Sequence, residues 1–268
     1  MGKENPLDKL WDFTEPGLHG SGPYDKYFAS HIGKRIKYSF IREYWDRDIA
    51  ELTSAERMGS EKLDPMSYPL TQRDRDVFKK IKKVGIKRLM EFLDKVSSQN
   101  AVDSFAKQSD ISPSDLKFVL RTVNKYLPFD TLMNKLVAED DKKTLDYVAR
   151  LTAVKCDHSL ALLEAGRTKA RRKKLAKETG IPEGSLIDLV LRADMTRLRL
   201  SSAGSVQCNW AIGYKGIKML QQADPDAFYT KTLEYYKNIF KGKPYDVTPE
   251  NMKAHISRLK QVADIVEE

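Results

Sequence analysis

Apolar residues recur every three or four positions along most of the chain after residue 75, a spacing typical of amphipathic helices. Ser112-Pro113 precedes one such segment, and Ser112 is expected to cap the helix, with Asp115 completing a capping box. Its predicted apolar face consists of Leu116, Val119, Leu120, Val123 and Leu127. Pro182-Glu183 opens a second segment, with Leu186, Leu189, Val190 and Ala193 on one face, and Thr248-Pro249 opens a last one, with Met252, Ile256, Leu259 and Val262.

These patterns predict an all-α fold. Strand-like alternation is absent over any useful length, so a parallel sheet with a ligand crevice is not expected. The predicted helices are too short to be stable alone and must pack on one another. Helices should therefore build the whole body of the protein.

One segment occurs twice. Phe105–Arg121 and Leu175–Arg192, aligned with a one-residue insertion, share Ala-Lys, an Ile before a Pro-containing turn, and Val-Leu-Arg on the following helix. A second recurring piece is a Gly-Ile pair before a Leu-rich helix, at Gly85 and at Gly216. Repetition of this kind predicts stacked helical units.

The first 75 residues are aromatic-rich and belong to neither repeat. They form a predicted N-terminal arm that packs either on the helical body or on a partner. We predict a helix from Ile32 to Leu52 that packs in the core, and partner contacts earlier in the arm. The partner-binding candidates are Trp11, Phe13, Tyr24, Tyr27 and Phe28. The predicted domains are the arm at 1–75, a first helical repeat at 76–155 and a second at 156–268.

The formal net charge of +9 is concentrated in the repeats. Residues 76–200 carry 26 Lys and Arg against 17 Asp and Glu, whereas the two flanking regions are nearly balanced. The candidate residues form two clusters: Lys79, Lys80, Lys82 and Lys83, and then Arg167, Lys169, Arg171, Arg172, Lys173 and Lys174. Each cluster is suited to nucleic-acid phosphates or an acidic protein surface, and a solvated helix face is the alternative.

Several segments together resemble a known family. They are Leu-Leu-Glu-Ala-Gly at 162–166, Arg172–Ile181, Arg192–Arg197 and Ser257–Val262. The stretch 160–262 resembles the family called domain of unknown function 4332, and 84–135 resembles a degenerate earlier copy. The resemblance implies tandem helix-hairpin-helix-like repeats, in which paired hairpin glycines bring backbone N–H groups to a DNA phosphate. Between Arg197 and Trp210 only Gly204 remains of the expected pair, which argues against that DNA contact.

Catalytic and metal-binding patterns are weak. The four histidines are scattered, and Cys156-Asp157-His158 with Cys208 lacks the paired spacing of structural zinc sites. The glycine-rich Gly17–Gly22 is followed by Pro-Tyr rather than the Lys-Ser/Thr of a phosphate-binding loop. We therefore predict no catalytic residues, no metal site and no cofactor, and a protein that is not an enzyme.

The expected location is the cytoplasm, because no run approaches the length of a membrane span and the N-terminus lacks a signal-peptide pattern. The predicted function is a non-catalytic helical adaptor, or a structural subunit that docks on a larger protein complex through its N-terminal arm. The alternative is non-sequence-specific binding of DNA or RNA through the basic repeats.

Overall fold

The computed structural model describes residues 21–53, 70–198, 201–239 and 247–268. Over these ranges the chain is helical and contains no β-strand, which confirms the all-α prediction. Extended backbone pairs at only two isolated antiparallel bridges there, Asp48 with Arg88 and Leu132 with His158.

The first helices are short. They are α1 (Ser21–Tyr27), a π-helical turn (Phe28–Gly33), α2 (Lys34–Ile36), α3 (Ser39–Tyr44) and α4 (Ile49–Thr53). The prediction of one helix from Ile32 to Leu52 is therefore wrong, although Ile36, Phe40 and Trp45 are buried. The break before α4 has a physical cause: the Asp48 carboxylate accepts a hydrogen bond from the Ala50 N–H (2.7 Å), which favours starting a new helix.

The rest of the described chain contains three sets of four helices. Repeat 1 comprises α5 (Gln72–Lys83), α6 (Leu89–Lys95), α7 (Gln99–Ser109) and α8 (Pro113–Tyr126). After a 3₁₀ turn at Met133–Leu136, repeat 2 comprises α9 (Lys142–Ala153), α10 (Ser159–Gly166), α11 (Lys169–Thr179) and α12 (Glu183–Met195). Repeat 3 comprises α13 (Ala203–Ala211), α14 (Ile217–Gln221), α15 (Pro225–Ile239) and α16 (Pro249–Leu259).

Repeats 1 and 2 correspond with a constant shift of 70 residues and no insertion. The shift follows from the paired helix starts: 72 and 142, 89 and 159, 99 and 169, 113 and 183. The one-residue insertion in the sequence alignment is therefore wrong. The insertion was introduced to align the Val-Leu-Arg that both copies contain. The structure instead pairs Arg192 with Thr122, one residue after Arg121.

The predicted caps and apolar faces agree with the structure. The Ser112 hydroxyl accepts a hydrogen bond from the Asp115 N–H (3.1 Å) and donates one to the Asp115 carboxylate (2.9 Å). Thr248 caps α16 in the same manner through the Asn251 N–H. All the residues predicted for the three apolar faces are buried.

The turn between the first two helices of each repeat uses a residue with positive φ. These residues are Gly85 (φ 90°), Lys155 (φ 57°) and Gly213 (φ 91°). Gly85 thus corresponds to Gly213 and not to Gly216, so the two Gly-Ile pairs of the sequence analysis occupy different positions in their repeats. Lys155 carries a side chain in a conformation that L-residues adopt only at a cost.

We expect Lys155→Gly to raise the free energy of unfolding by about 0.5–1 kcal/mol, because glycine adopts this conformation without strain. Gly85→Ala is the matched control. No atom lies within 4 Å of the added Cβ, so the strained φ alone should lower stability, by about 1 kcal/mol. Urea denaturation measures both changes, and a Lys155→Gly variant less stable than the parent protein would contradict the strain at this turn.

Contacts divide the chain into two compact units. In the described ranges, unit 1 contains residues 21–37, 41–53 and 70–124, and unit 2 contains 38–40 and 125 onward. Repeat 1 thus lies almost entirely in unit 1, with residues 21–37 and 41–53, while repeats 2 and 3 form unit 2. The predicted domain boundaries after residues 75 and 155 stay a prediction.

Candidate interaction surfaces

The turn after α5 is closed by carboxylates. The Met90 N–H donates to Asp46 Oδ1 (2.9 Å), and the Lys87 N–H donates to Glu91 Oε2 (3.2 Å). Asp46 also accepts a hydrogen bond from Arg88 Nε at 3.1 Å. Backbone N–H groups at this turn, which a bound phosphate would need, are therefore engaged by side chains of unit 1 itself.

The corresponding turn of repeat 2 has the same arrangement. The Leu160 N–H donates to Asp130 Oδ1 (3.3 Å), and His158 Nδ1 lies 3.5 Å from Asp130 Oδ2. Asp46 and Asp130 each directly follow an aromatic residue. A few residues after each aspartate, a backbone N–H donates to a carbonyl oxygen of the turn: Ile49 to Lys87 in repeat 1, and Met133 to Asp157 in repeat 2 (both 2.8 Å). Neither aspartate is among the residues predicted from the sequence, and the signal that could have identified them is an aromatic residue directly followed by Asp.

Repeat 3 differs in the same region. The stretch Arg197–Trp210, interpreted from the sequence as a weakened hairpin, instead leads into α13, which contains Gly204. At the turn itself a Cβ on Gly216 would lie 3.1 Å from Leu191 Cδ2, so α12 covers this glycine closely. Carboxylates thus engage backbone N–H groups at the turns of repeats 1 and 2, whereas at the turn of repeat 3 the observed contact is the packing of Leu191 on Gly216.

The lysine cluster of unit 1 lies on α5. Lys79, Lys80, Lys82 and Lys83 are exposed there, and Lys79 is 3.4 Å from the exposed carboxylate of Asp76. Three of the four occupy the last turn of the helix. Cations stabilise the negative end of a helix dipole, so helix stability alone accounts for this cluster.

The basic cluster of unit 2 lies on and before α11 and divides into two groups. Lys169, Arg171, Lys173 and Lys174 are exposed, whereas Arg167 is half-buried and Arg172 is buried. The Arg172 guanidinium donates to the carbonyl oxygens of Gly166 (2.9 Å), Arg167 and Glu267. Arg172 therefore joins α10 and α11 to the C-terminal segment, and its side chain is not free to meet a partner.

Two of the exposed cations of α11, Lys169 and Arg171, lie in its first turn, at the positive end of the helix dipole. The first turn has no acidic residue, although acidic side chains are the ones favoured there. Two carboxylates offset this arrangement: Glu267 Oε2 accepts from the Lys169 N–H, and Glu164 Oε1 pairs with Arg171 Nη1 (both 2.8 Å). Burial by itself would raise the pKa of Glu164, but hydrogen bonds from Ser39 and Arg171 outweigh it and lower that pKa below its usual value. Helix stability thus does not account for this cluster.

The aromatic partner-binding candidates fall into three groups. Trp11 and Phe13 lie outside the described residues. Tyr24 and Phe28 are buried in unit 1, where the Tyr24 hydroxyl donates to the Val96 carbonyl oxygen (2.5 Å), and burial raises the pKa of Tyr24. Tyr27 is half-buried and stacks on His31, with 4.6 Å between ring centres. Tyr24 and Phe28 therefore pack in the core and do not form a partner surface.

Both cysteines are buried thiols. Burial raises the pKa of Cys156 above its usual value and that of Cys208 to about 12, so both are protonated at neutral pH. In the described ranges no group of three His, Cys, Asp or Glu side chains is placed to hold a metal ion. None of the helices in those ranges has the length and apolar character needed to cross a membrane.

Comparison with known proteins supports the resemblance found in the sequence. Residues 142–265 match the family model described as "Domain of unknown function (DUF4332)". The match starts at the first residue of α9 and covers repeats 2 and 3. Neither curated proteins nor solved structures include a match to this chain. Residues 142–265 are therefore a domain of the DUF4332 family.

Proposed function

We propose that the protein is a non-catalytic helical adaptor or structural subunit of a larger protein assembly, and that it binds an acidic protein surface through the exposed cations of α11. The proposal includes a helix-hairpin-helix type of repeat as the scaffold. The observation that carries it is the exposed cluster Lys169, Arg171, Lys173 and Lys174, which begins in the first turn of α11, where cations are unfavourable, and continues to the middle of the helix. A polyanionic partner supplies the compensating charge that the helix itself lacks.

The hydrogen bonds at the turns of repeats 1 and 2 favour a protein partner over nucleic acid. Asp46 and Asp130 already accept hydrogen bonds from the backbone N–H groups that would otherwise contact a phosphate. A phosphate would have to displace a carboxylate and approach its negative charge. The cost of that displacement makes the turns poor phosphate sites.

Reversing two charges on α11 tests the docking surface. Lys173 and Lys174 are exposed and have no ion-pair partner among the described residues. Both lie in the middle of α11, where glutamate is as good a helix former as lysine, so Lys173→Glu with Lys174→Glu should leave the fold intact. We expect the parent protein to run in native extracts as a particle well above its 30.7 kDa mass, and the variant to lose that association.

The matched control is Lys82→Glu with Lys83→Glu on α5, which changes the net charge by the same amount. We expect this variant to keep the native particle mass. A parent protein that runs as a lone monomer would exclude the adaptor function, and an α11 variant that stays in the particle would exclude the α11 surface.

A second candidate function, nucleic-acid binding, is favoured by the exposed lysines of both clusters. It predicts micromolar binding to random duplex DNA with a steep dependence of affinity on salt concentration. Fluorescence anisotropy with a labelled duplex measures this dependence. Absence of binding at low salt would exclude this candidate.

A further inference from the structure

Unit 2 contains a cavity of about 380 Å³ among α13, α15 and α16 of repeat 3. Its volume is within the range of small-molecule sites. Leu198, Phe228 and Met252 supply buried apolar surface to it. α15 contacts both α13 and α16, and all three helices line the cavity, so the cavity belongs to repeat 3.

Two polar groups lie in the interior of the cavity. Thr232 is 3% exposed, and its hydroxyl makes no hydrogen bond of ordinary geometry with any described residue. Its polar neighbour is the Cys208 thiol, a weak hydrogen-bonding group, also buried. A buried hydroxyl without a good partner is costly, and a bound molecule with a polar group could satisfy it.

The side of the cavity formed by α16 is basic and polar. Arg258 lines it and has no ion-pair partner among the described residues. His255 lines it as well, and burial followed by the nearby Arg258 charge lowers the pKa of His255, so the imidazole is neutral at pH 7. None of the described lining residues carries a carboxylate.

We propose that this cavity is a binding site for a compact amphipathic anion, with an aromatic or branched apolar body and one carboxylate or sulfonate group. The apolar body would pack against Phe228 and Met252. The acid group would pair with the Arg258 guanidinium, whose fork of donors suits such an anion. A donor group on the body would hydrogen-bond the Thr232 oxygen. The site is separate from the α11 surface, and the proposal does not rest on the adaptor function.

Anilinonaphthalene sulfonate is a suitable probe, because it combines an aromatic body, an N–H donor and a sulfonate. Titration of the full chain with this dye should give saturable fluorescence with one site per chain. Arg258→Met keeps most of the side-chain volume but removes the charge, and it should weaken binding about ten- to hundredfold. Ser205→Trp, which fills the cavity from α13, should abolish binding.

Lys260→Met is the matched control, since it removes the same charge from an exposed position two residues further along the chain. It should bind the dye as the parent protein does, and far-ultraviolet circular dichroism verifies the fold of each variant. Unsaturable binding, or equal affinity in the Arg258→Met and Lys260→Met variants, would overturn the proposal. Should Ser205→Trp fail to fold, the comparison of these two methionine variants decides by itself.

Discussion

Asp194→Leu is expected to lower the free energy of unfolding by about 3–5 kcal/mol, because it leaves the buried Arg197 guanidinium without its counter-charge. Both side chains are almost fully buried, and Arg197 Nε lies 2.5 Å from Asp194 Oδ1. Arg197, two residues after α12, also donates to the Ala263 carbonyl oxygen (2.6 Å) and so ties the chain after α12 to the C-terminal segment. An arginine cannot relieve its burial by losing a proton.

The reverse variant, Arg197→Met, should cost less, because the remaining carboxyl can take up a proton. Burial already raises the pKa of Asp194, and removing the cation raises it further. A carboxyl whose pKa is higher in the folded than in the unfolded state favours folding at low pH, so the stability of this variant should fall as the pH rises. Urea denaturation at pH 5 and pH 8 measures this slope.

The double variant Asp194→Leu with Arg197→Met supplies the control. Removing both charges leaves no unpaired ion, so we expect a smaller loss than for Asp194→Leu alone. Additive losses would show that the two side chains are energetically independent despite their contact.

Trp45→Ala is expected to lower the free energy of unfolding by about 3–5 kcal/mol, since it opens a large cavity in unit 1. Trp45 is fully buried (0% exposed). It directly precedes Asp46, which accepts a hydrogen bond from the start of α6, so its loss should also loosen the closed turn of repeat 1. Urea denaturation followed by circular dichroism measures the loss.

Phe129→Ala is the matched control, because Phe129 precedes Asp130 as Trp45 precedes Asp46. Phe129 is 52% exposed, so its truncation should change stability by no more than about 0.5 kcal/mol. Equal losses in the two variants would contradict the difference in burial. Two residues at equivalent positions thus have different energetic roles.

The internal repeat was visible in the sequence, but its alignment was not. Val119-Leu120-Arg121 and Val190-Leu191-Arg192 are identical in letters, yet they differ by one position on their helices. In the structure the buried pairs are Val119 with Leu189 and Leu120 with Val190. A shift of one residue turns a helix by about 100°, so burial fixes the alignment even where few residues are identical.

Surface roles were the least predictable part of the candidate site. Arg172 and its exposed neighbours look alike in sequence, and only the carbonyl oxygens of Gly166 and Glu267 distinguish the structural arginine from the others. Tyr24 and Phe28 likewise look suited to a partner until their burial is known. The sequence shows which segments are basic or aromatic. Whether one of these side chains is exposed depends on the parts of the chain that pack against it.

The sequence by itself determined the helical class, the caps at Ser112 and Thr248, the apolar faces and the family of the second half. The class, the caps and the faces depend on residues within a few positions of one another, so local spacing is sufficient to predict them, and the family follows from short segments that are each recognisable in the sequence. Only the tertiary structure decided the 70-residue correspondence, the closure of the turns by Asp46 and Asp130, the burial of Arg172 and the cavity of repeat 3. Each of these depends on contacts between residues far apart in the chain, and local sequence patterns do not predict which distant side chains contact each other.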